Sequence, residues 1–519
     1  MNTSTVESEI ACSILYDSSN GLTDVGQREQ PRCFPDLNLD QIIAGATAGH
    51  EEYDLKPIFH SLLQDVETIG YRQEVFRDFE NELVLASVKR FSERMRVVRQ
   101  ALAQADKIYY ALQKRRIRLD AIGEYCEATT GFARELTLTV PHSRGLLAFA
   151  AYLSSYTRSA SFSSLAAETE RLQGDLAGIQ YVVLIDGKRV EVSRYGGEPD
   201  YAAQVLETFE KFRQGAVKET VFTFHSSPEM NHIEAAILDR VALLFPDIFA
   251  ALATHCARYR EFLDATVIAF DRAAQFYIAW LEYLAPLKRA GLRFCYPEIS
   301  ERSERILARD AFDIALAHKL AAEKKSVVVN DFEIQDPERV LVVSGANQGG
   351  KSTFARMVGQ IFYLADLGCP VPAHEARLAR IDRVFTHFER EERVETLTGK
   401  LEESLIRMRE ILDQATVRSL LIMNESFDST TASDALFLSK ETLARVIDRG
   451  MLCICVTFLD ELASLSSTTT SYVATVDPED PARRTFKVVR KPAEGLAYAM
   501  AVAQKYGLTY EQVTKRLAS

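Results

Sequence analysis

No apolar run in this chain approaches the length of a membrane span, so a membrane-spanning helix is not expected. The eight cysteines (Cys12, Cys33, Cys126, Cys256, Cys295, Cys369, Cys453 and Cys455) include no C-x-x-C pair and follow no metal or disulfide spacing. Zinc ribbons and disulfide-stapled secreted domains are therefore excluded. Positive charge is also in short supply: 61 Lys and Arg stand against 73 Asp and Glu, a formal charge of −12. Phosphate neutralisation needs clustered basic residues, so this balance argues against a protein that coats nucleic acid through bulk charge, though not against a local basic patch. The first residues, Met1 to Glu9, have neither a basic start nor a long apolar core. No secretory signal is expected there, and a reducing cytoplasm is the expected location.

What the chain has is length and order. At 519 residues it is too long for one core, and two to four domains are expected. From Met1 to about Arg32 it is polar apart from the island Ile10–Tyr16, which reads as a mobile tail. From Leu37 to about Arg134 the composition is that of long amphipathic helices, with Ile58, Leu62, Leu63 and Val66 on one face. The basic cluster Lys114, Arg115, Arg116 and Arg118 reads as a solvated helix face. Between Ile179 and Ser193 the period changes to that of a hairpin, with Asp186-Gly187 suited to a type I′ turn. Val221–Phe224 reads as a further strand, and a second helical stretch runs from Ser227 to about Leu287 with a break at Pro246. Then come a connector at 293–298, a helix around Phe312–Glu323 and a strand at Ser326–Val329. Past that point strands such as Ser419–Met423 and Leu452–Val456 alternate with helical stretches, the pattern of an α/β domain with a buried parallel sheet.

The most specific stretch is Val340–Phe354, VLVVSGANQGGKSTF, where an apolar strand turns into glycines and then a lysine. The spacing G-x-x-x-x-G-K-S is that of a phosphate-binding loop. Gly345, Gly349 and Gly350 free the backbone so that amides can point at an anion, Lys351 neutralises β- and γ-phosphates, and the Ser352 hydroxyl holds Mg²⁺. Ala346, Asn347, Gln348 and Thr353 complete the expected nucleotide cradle. A neighbouring strand, Ser419–Glu425, ends in Asn424-Glu425 where Asp-Glu is usual. Glu425 is the candidate for polarising an attacking water, with Lys351 beside it in the catalytic role. Asn424 can still accept a bond from a metal-bound water but brings no charge, so hydrolysis is expected to be slow.

These residues carry a resemblance. Ser344–Thr353, SGANQGGKST, resembles the TGPNMGGKST of the MutS family, and Asn347 is what separates it from the general loop. The match continues without a gap through Gly368–Ala373, Ile381–Thr386, Ile411-Leu412, Ala415-Thr416 and Ser419–Glu425. More weakly, Val329–Asp331, Val456–Leu462 and Gly495–Met500 resemble flanking family segments. The resemblance implies a multidomain chain: an α-helical core and lever over about 36–292 with a small β-containing clamp around 175–230, then a C-terminal α/β P-loop ATPase domain of the ABC-type, MutS-like class over 293–519. It implies ATP and Mg²⁺ as cofactors, a homodimer through the ATPase domain, duplex or branched DNA as partner, and mismatch repair or recognition of other DNA structures as function.

The departures from the family matter as much. Gly399 stands where the family has a serine that reaches a partner's γ-phosphate, and Lys400 or the Gly399 amide is a candidate replacement. Phe458 stands where the family has a histidine, and Asp428–Asp434, DSTTASD, replaces RGTSTYD. An alternative reading is thus a nucleotide-switched interaction protein with weak or no ATPase and no DNA binding. A small-molecule kinase is a third, with no acceptor site or lid to support it.

Overall fold

The computed structural model describes residues 12–17, 29–187, 189–198, 229–389, 399–477, 483–493 and 508–517. The sequence expectations at Val221–Phe224 and Gly495–Met500 lie outside them. By its internal contacts the chain forms two compact units.

The first, built from residues 82–141 and 147–271, is helical. Helices Glu82–Lys107 and Ala111–Thr139 run antiparallel, since Arg90 meets Glu135 while Arg94 meets Glu124 and Glu127. Their apolar faces close on rings: Phe91 stacks on Phe132 at 4.4 Å and Phe149 on Phe270 at 3.7 Å. Further along, Leu119, Leu172 and Leu252 join helices Ala160–Ala177 and Pro246–Arg258 in a small cluster. Pro246 sits in the first turn of that last helix and ends the preceding one, His232–Leu244, as a proline without an N–H should. The basic cluster is largely paired: Lys114 with Asp106, Arg116 with Asp120, and Arg118 on the carbonyl of Arg260.

Strands β1 (Tyr181–Asp186) and β2 (Arg189–Arg194) form the expected hairpin, one residue out of the expected register. Asp186 pairs with Arg189, so Gly187, at φ +55°, is the first loop residue and Asp186 closes the ladder. The strand period of two outweighs the turn preference of Asp-Gly here, because Val183 must oppose Val192.

The second unit comprises residues 10–81, 142–146 and 272–519 and holds two sheets. One contains β3 (Glu298–Ser300), β4 (Arg305–Ala311), β5 (Asn330–Gln335) and β7 (Glu375–Ala379), in the order β3-β7-β4-β5. The strand expected at Ser326–Val329 is instead β5, beginning at Asn330. Phe332 and Ile334 alternate into the core there, whereas Val327–Val329 are only half-buried. The other sheet contains β6 (Val340–Gly345), β8 (Val384–Phe388), β9 (Leu420–Asn424), β10 (Leu452–Val456), β11 (Thr469–Val476) and β12 (Arg484–Arg490), in the order β12-β11-β6-β10-β9-β8. Its five strands from β11 to β8 are parallel, and β12 alone is antiparallel. Continuous runs such as Val340–Val343 and Leu420–Met423 are buried throughout, as a sheet covered on both faces requires.

The helix Lys351–Ala365 follows β6 directly, and nearly every residue from Phe354 to Ala365 is buried. Its Gln360 side chain donates to the carbonyl of Leu37 and accepts from the N–H of Ile314. Around it packs an aromatic core in which Phe59, Phe76, Phe276, Tyr277 and Trp280 are fully buried. The island expected to be part of a tail is held here. Ile14 is buried, and Tyr71 Oη, Tyr277 Oη and Arg72 Nε donate to the carbonyls of Ser13, Ile14 and Leu15. No helix among the described residues is long and apolar enough to cross a membrane.

Candidate functional site

Strand β6 ends at Gly345, whose φ of +103° only glycine adopts without strain. A Cβ there would lie 2.7 Å from the carbonyl oxygen of Ala474 in β11, and one on Gly349 would lie 2.8 Å from the carbonyl of Ala346. The loop is therefore wound as tightly as backbone contact allows. The helix from Lys351 begins on Gly350, which offers no capping side chain. Its first-turn N–H groups are left at the positive end of the helix dipole. Asn347 and Gln348 are exposed, Gly345, Gly350, Ser352 and Thr353 half-buried, and Ala346 and Gly349 buried. Such a turn presents amides and a hydroxyl to one small volume, an arrangement suited to a polyanion.

Lys351 is 4% exposed and folds back over the loop. Its Nζ donates to the carbonyl of Gly345 at 2.9 Å and to Asn347 Oδ1 at 3.3 Å. Burial pushes the ammonium below its ordinary pKa, while the nearby carboxylates Glu425, Asp428 and Asp460 act in the opposite direction. Asn347 thus has a physical function in the loop: its side chain meets the lysine. From β12, Arg484 Nε donates to the Asn347 carbonyl at 2.9 Å and adds a second cation to the loop.

Strand β9 lies one strand away, beside β10, and delivers Asn424 and Glu425 at its end. Glu425 adopts φ +52° and donates its N–H to the carbonyl of Val456, so the chain turns sharply out of the sheet at this residue. Asn424 Oδ1 is enclosed and has no hydrogen-bond partner among the described residues. Asp428, three residues on, has a carboxyl raised to about 6 by burial, with Glu425 and Glu389 adding to the rise and Lys351 opposing it. Next along, Asp434 and Thr431 cap the helix Ala432–Asp448 between themselves, so this part of the altered DSTTASD segment is structural. Gly399 is the N-cap of the helix Lys400–Gln414, and no described residue lies within 4 Å of where its Cβ would be.

Among the described residues no group of three or more His, Cys, Asp and Glu could hold a metal ion. A cation here would take the hydroxyl of Ser352, the amide oxygen of Asn424 and oxygens of its own ligand, the oxygen-rich set that Mg²⁺ prefers. Sequence reasoning marks Asp428 only as a departure and misses Arg484 altogether. The first could have been suspected from its spacing to Glu425. The second lies 137 positions from its loop partner and leaves no local signal.

Residues 341–517 match MutS domain V. The chain is 27% identical over 361 residues to the DNA mismatch repair protein MutS of Chlorobaculum tepidum, covering 67% of this chain and 38% of that protein. It is 28% identical over 314 residues to the MutS of Thermotoga neapolitana, 58% of this chain and 36% of that one. Against the MutS of Psychrobacter cryohalolentis it is 34% identical over 152 residues, 28% and 14% of the two chains. The chain thus spans little more than a third of the length of the full relatives it matches. The loop from Gly345 to Thr353 and the β9 end at Glu425 both lie in the region that matches MutS domain V, and about two thirds of the chain is similar to MutS proteins.

Proposed function

We propose that this protein is an ATP-binding switch acting on duplex or branched DNA, with ATP and Mg²⁺ held at the loop Gly345–Thr353 in each subunit of a homodimer. The observation that carries the reading is the loop itself. Gly345 and Gly349 sit where no Cβ fits, and Lys351 is buried over the same turn with its ammonium on the loop carbonyl. A buried cation aimed at a backbone nest costs desolvation that a polyphosphate offsets.

The donor set fits Mg²⁺·ATP. Amides of Ala346 to Thr353 would receive phosphate oxygens, and Lys351 would hold the β- and γ-phosphates. Ser352 and the enclosed Asn424 Oδ1 would take Mg²⁺ and its water. Bound there, Mg²⁺ supplies charge neutralisation of the phosphates. Glu425, turned out of the sheet end, would orient the attacking water and receive its proton. Lys400, or the Gly399 amide, would stand in for the partner-directed serine. Asn424 leaves one negative charge out of this set, so the site is built to hold ATP longer than it takes to bind it.

The helical unit and its hairpin β1–β2 would serve as lever and clamp. Their relatives are mismatch-repair proteins by name, which supports DNA as the partner and repair or recognition of other DNA structures as the setting. Overall acidity suits enclosure of DNA by a local lining better than open electrostatic capture.

The test is nucleotide binding and turnover by wild type, Lys351→Ala and Glu425→Gln, together with DNA affinity on linear, mismatched and branched duplexes. We expect Lys351→Ala to lose ATP binding and Glu425→Gln to bind ATP while losing turnover. Failure of wild type to bind ATP would sink the proposal. Binding of ATP without any DNA affinity in either nucleotide state would instead favour the interaction-protein reading, which the missing charge at Asn424 already supports.

A further inference from the structure

The nucleotide site contains one contact that its proposed chemistry does not use. At the end of β10 the Thr457 N–H donates to the carbonyl of Val343, and Thr457 Oγ1 accepts the N–H of Leu459 at 3.0 Å. This turn fixes the residue between them, Phe458. The phenyl ring stands over the Lys351 ammonium, with Nζ 4.1 Å from the ring centroid. Phe458 is 45% exposed, so it is not placed by core packing. Its defining neighbour is the lysine.

An ammonium has three N–H groups. Those of Lys351 face the Gly345 carbonyl, the Asn347 amide oxygen and the π face of Phe458. The chain therefore supplies a complete shell for its own lysine. A phosphate oxygen that reaches Nζ must replace a member of that shell. The Gly345 carbonyl belongs to the tightly wound loop, which has no room to retreat, whereas the Asn347 amide is on an exposed side chain and can give way to a first phosphate. The ring is on the outside, half in solvent, and is the member that yields to a second.

We propose that Phe458 is a specificity-determining residue that competes with the terminal phosphate of a nucleoside triphosphate for Lys351, and so weakens triphosphate binding relative to diphosphate. A diphosphate brings only its β-phosphate to Nζ, where the exposed Asn347 amide gives way, and leaves the ring in place. The terminal phosphate of a triphosphate displaces it and loses the cation–π contact. The inference rests on the nucleotide-binding reading of the loop and adds the discrimination between the two nucleotides.

Equilibrium binding of ATP and of ADP, both with Mg²⁺, to the full chain and to Phe458→Ala, Phe458→Leu and Phe458→Tyr tests it. Phe458→Ala and Phe458→Leu should each raise the ratio of ATP to ADP affinity about five- to thirtyfold, equivalent to roughly 1–2 kcal/mol at 1.4 kcal/mol per tenfold. Phe458→Tyr keeps a π face and should keep the wild-type ratio. An unchanged ratio in the Ala and Leu variants overturns the proposal, as does a Leu variant that behaves like wild type, which would assign the effect to bulk. If wild type binds both nucleotides and the ratio does not move, this inference alone falls. Absence of binding to either nucleotide in wild type removes the nucleotide reading and this one with it.

Discussion

The enclosed amide of Asn424 gives the sharpest test of the proposed Mg²⁺ site. Its Oδ1 has no exposed surface and no donor among the described residues, and a buried acceptor left unmet costs about 1–3 kcal/mol. Two variants separate the consequences. Asn424→Ala removes the unmet acceptor, so the nucleotide-free protein should lose little stability, within about 1 kcal/mol of wild type by urea unfolding. The same variant should lose a bond to a metal-bound water, worth about 0.5–1.5 kcal/mol, and the gain in ATP affinity on adding Mg²⁺ should fall by roughly two- to tenfold. Asn424→Asp acts in the other direction. A carboxylate within about 4 Å of a cation gains up to about 4 kcal/mol per unit charge at an effective dielectric of 20. Repulsion from Glu425 takes back part of that, so the Mg²⁺ effect should grow by about tenfold and turnover should rise. Titrations of ATP with Mg²⁺ and with EDTA measure all three proteins. Identical Mg²⁺ dependence across the series would refute the reasoning, and so would an Asn424→Ala protein destabilised by more than about 2 kcal/mol, since its oxygen would then have had a partner.

Other consequences are open to test. Gly345→Ala forces a Cβ to within 2.7 Å of the Ala474 carbonyl at φ +103°, and should cost more than about 2 kcal/mol by denaturant titration or prevent folding; a protein of unchanged stability would show that the loop can relax. Asp78 accepts the N–H groups of His142 and Ser143 at 2.7–3.0 Å ahead of the helix Arg144–Thr157, so Asp78→Ala should cost about 1–3 kcal/mol, again read by denaturant titration. Because Asp428 has its carboxyl raised to about 6 in the fold, it carries a proton in the folded chain that it lacks when unfolded. Its contribution to stability is therefore greatest below its ordinary value of 3.8 and is lost as pH rises through about 6. Between pH 7 and pH 5 that proton also removes a negative charge from the site. Wild type should tighten its hold on ATP by roughly three- to tenfold more than Asp428→Asn does over the same range, the comparison cancelling the titration of ATP itself. Parallel pH profiles for the two proteins would place Asp428 outside the site.

Much of the C-terminal region is legible because its signals are local. An apolar run followed by glycines and a lysine fixes β6, the loop and the next helix in one fifteen-residue window, and Leu452–Val456 is a strand by its β-branched and apolar content. Where the reading of the residues fails, the deciding contact is distant. Val327–Val329 looks like the better strand, but β4 offers its ladder to Asn330–Gln335, whose alternation buries Phe332 and Ile334. Asp186-Gly187 suggests the turn, yet cross-strand pairing moves it by one. Ile10–Tyr16 looks too short to fold, and locally it is. Its partners Tyr71, Arg72 and Tyr277 lie between 57 and 263 positions away. The site shows the same division. Lys351 and Glu425 are visible from spacing, whereas the guanidinium of Arg484 and the ring of Phe458 acquire meaning only when β12 and β10 bring them to the loop.

The hold on Ser13, Ile14 and Leu15 has one more consequence. Each of the three distant donors meets a main-chain carbonyl, so the grip reads the path of the chain and not the identity of Ser13. Substitution there should be tolerated. Shortening the chain past Tyr16 is a different matter. It would strip the acceptors from two tyrosine hydroxyls and from a guanidinium that is completely enclosed, and would leave Arg72 with the Leu367 carbonyl and the Phe276 ring for company. A buried charge that loses partners in this way costs several kcal/mol. A trimmed protein would thus be weakened beside the helix Val66–Phe79, more than four hundred positions from its far end, and a synthetic peptide carrying residues 12–17 should restore it.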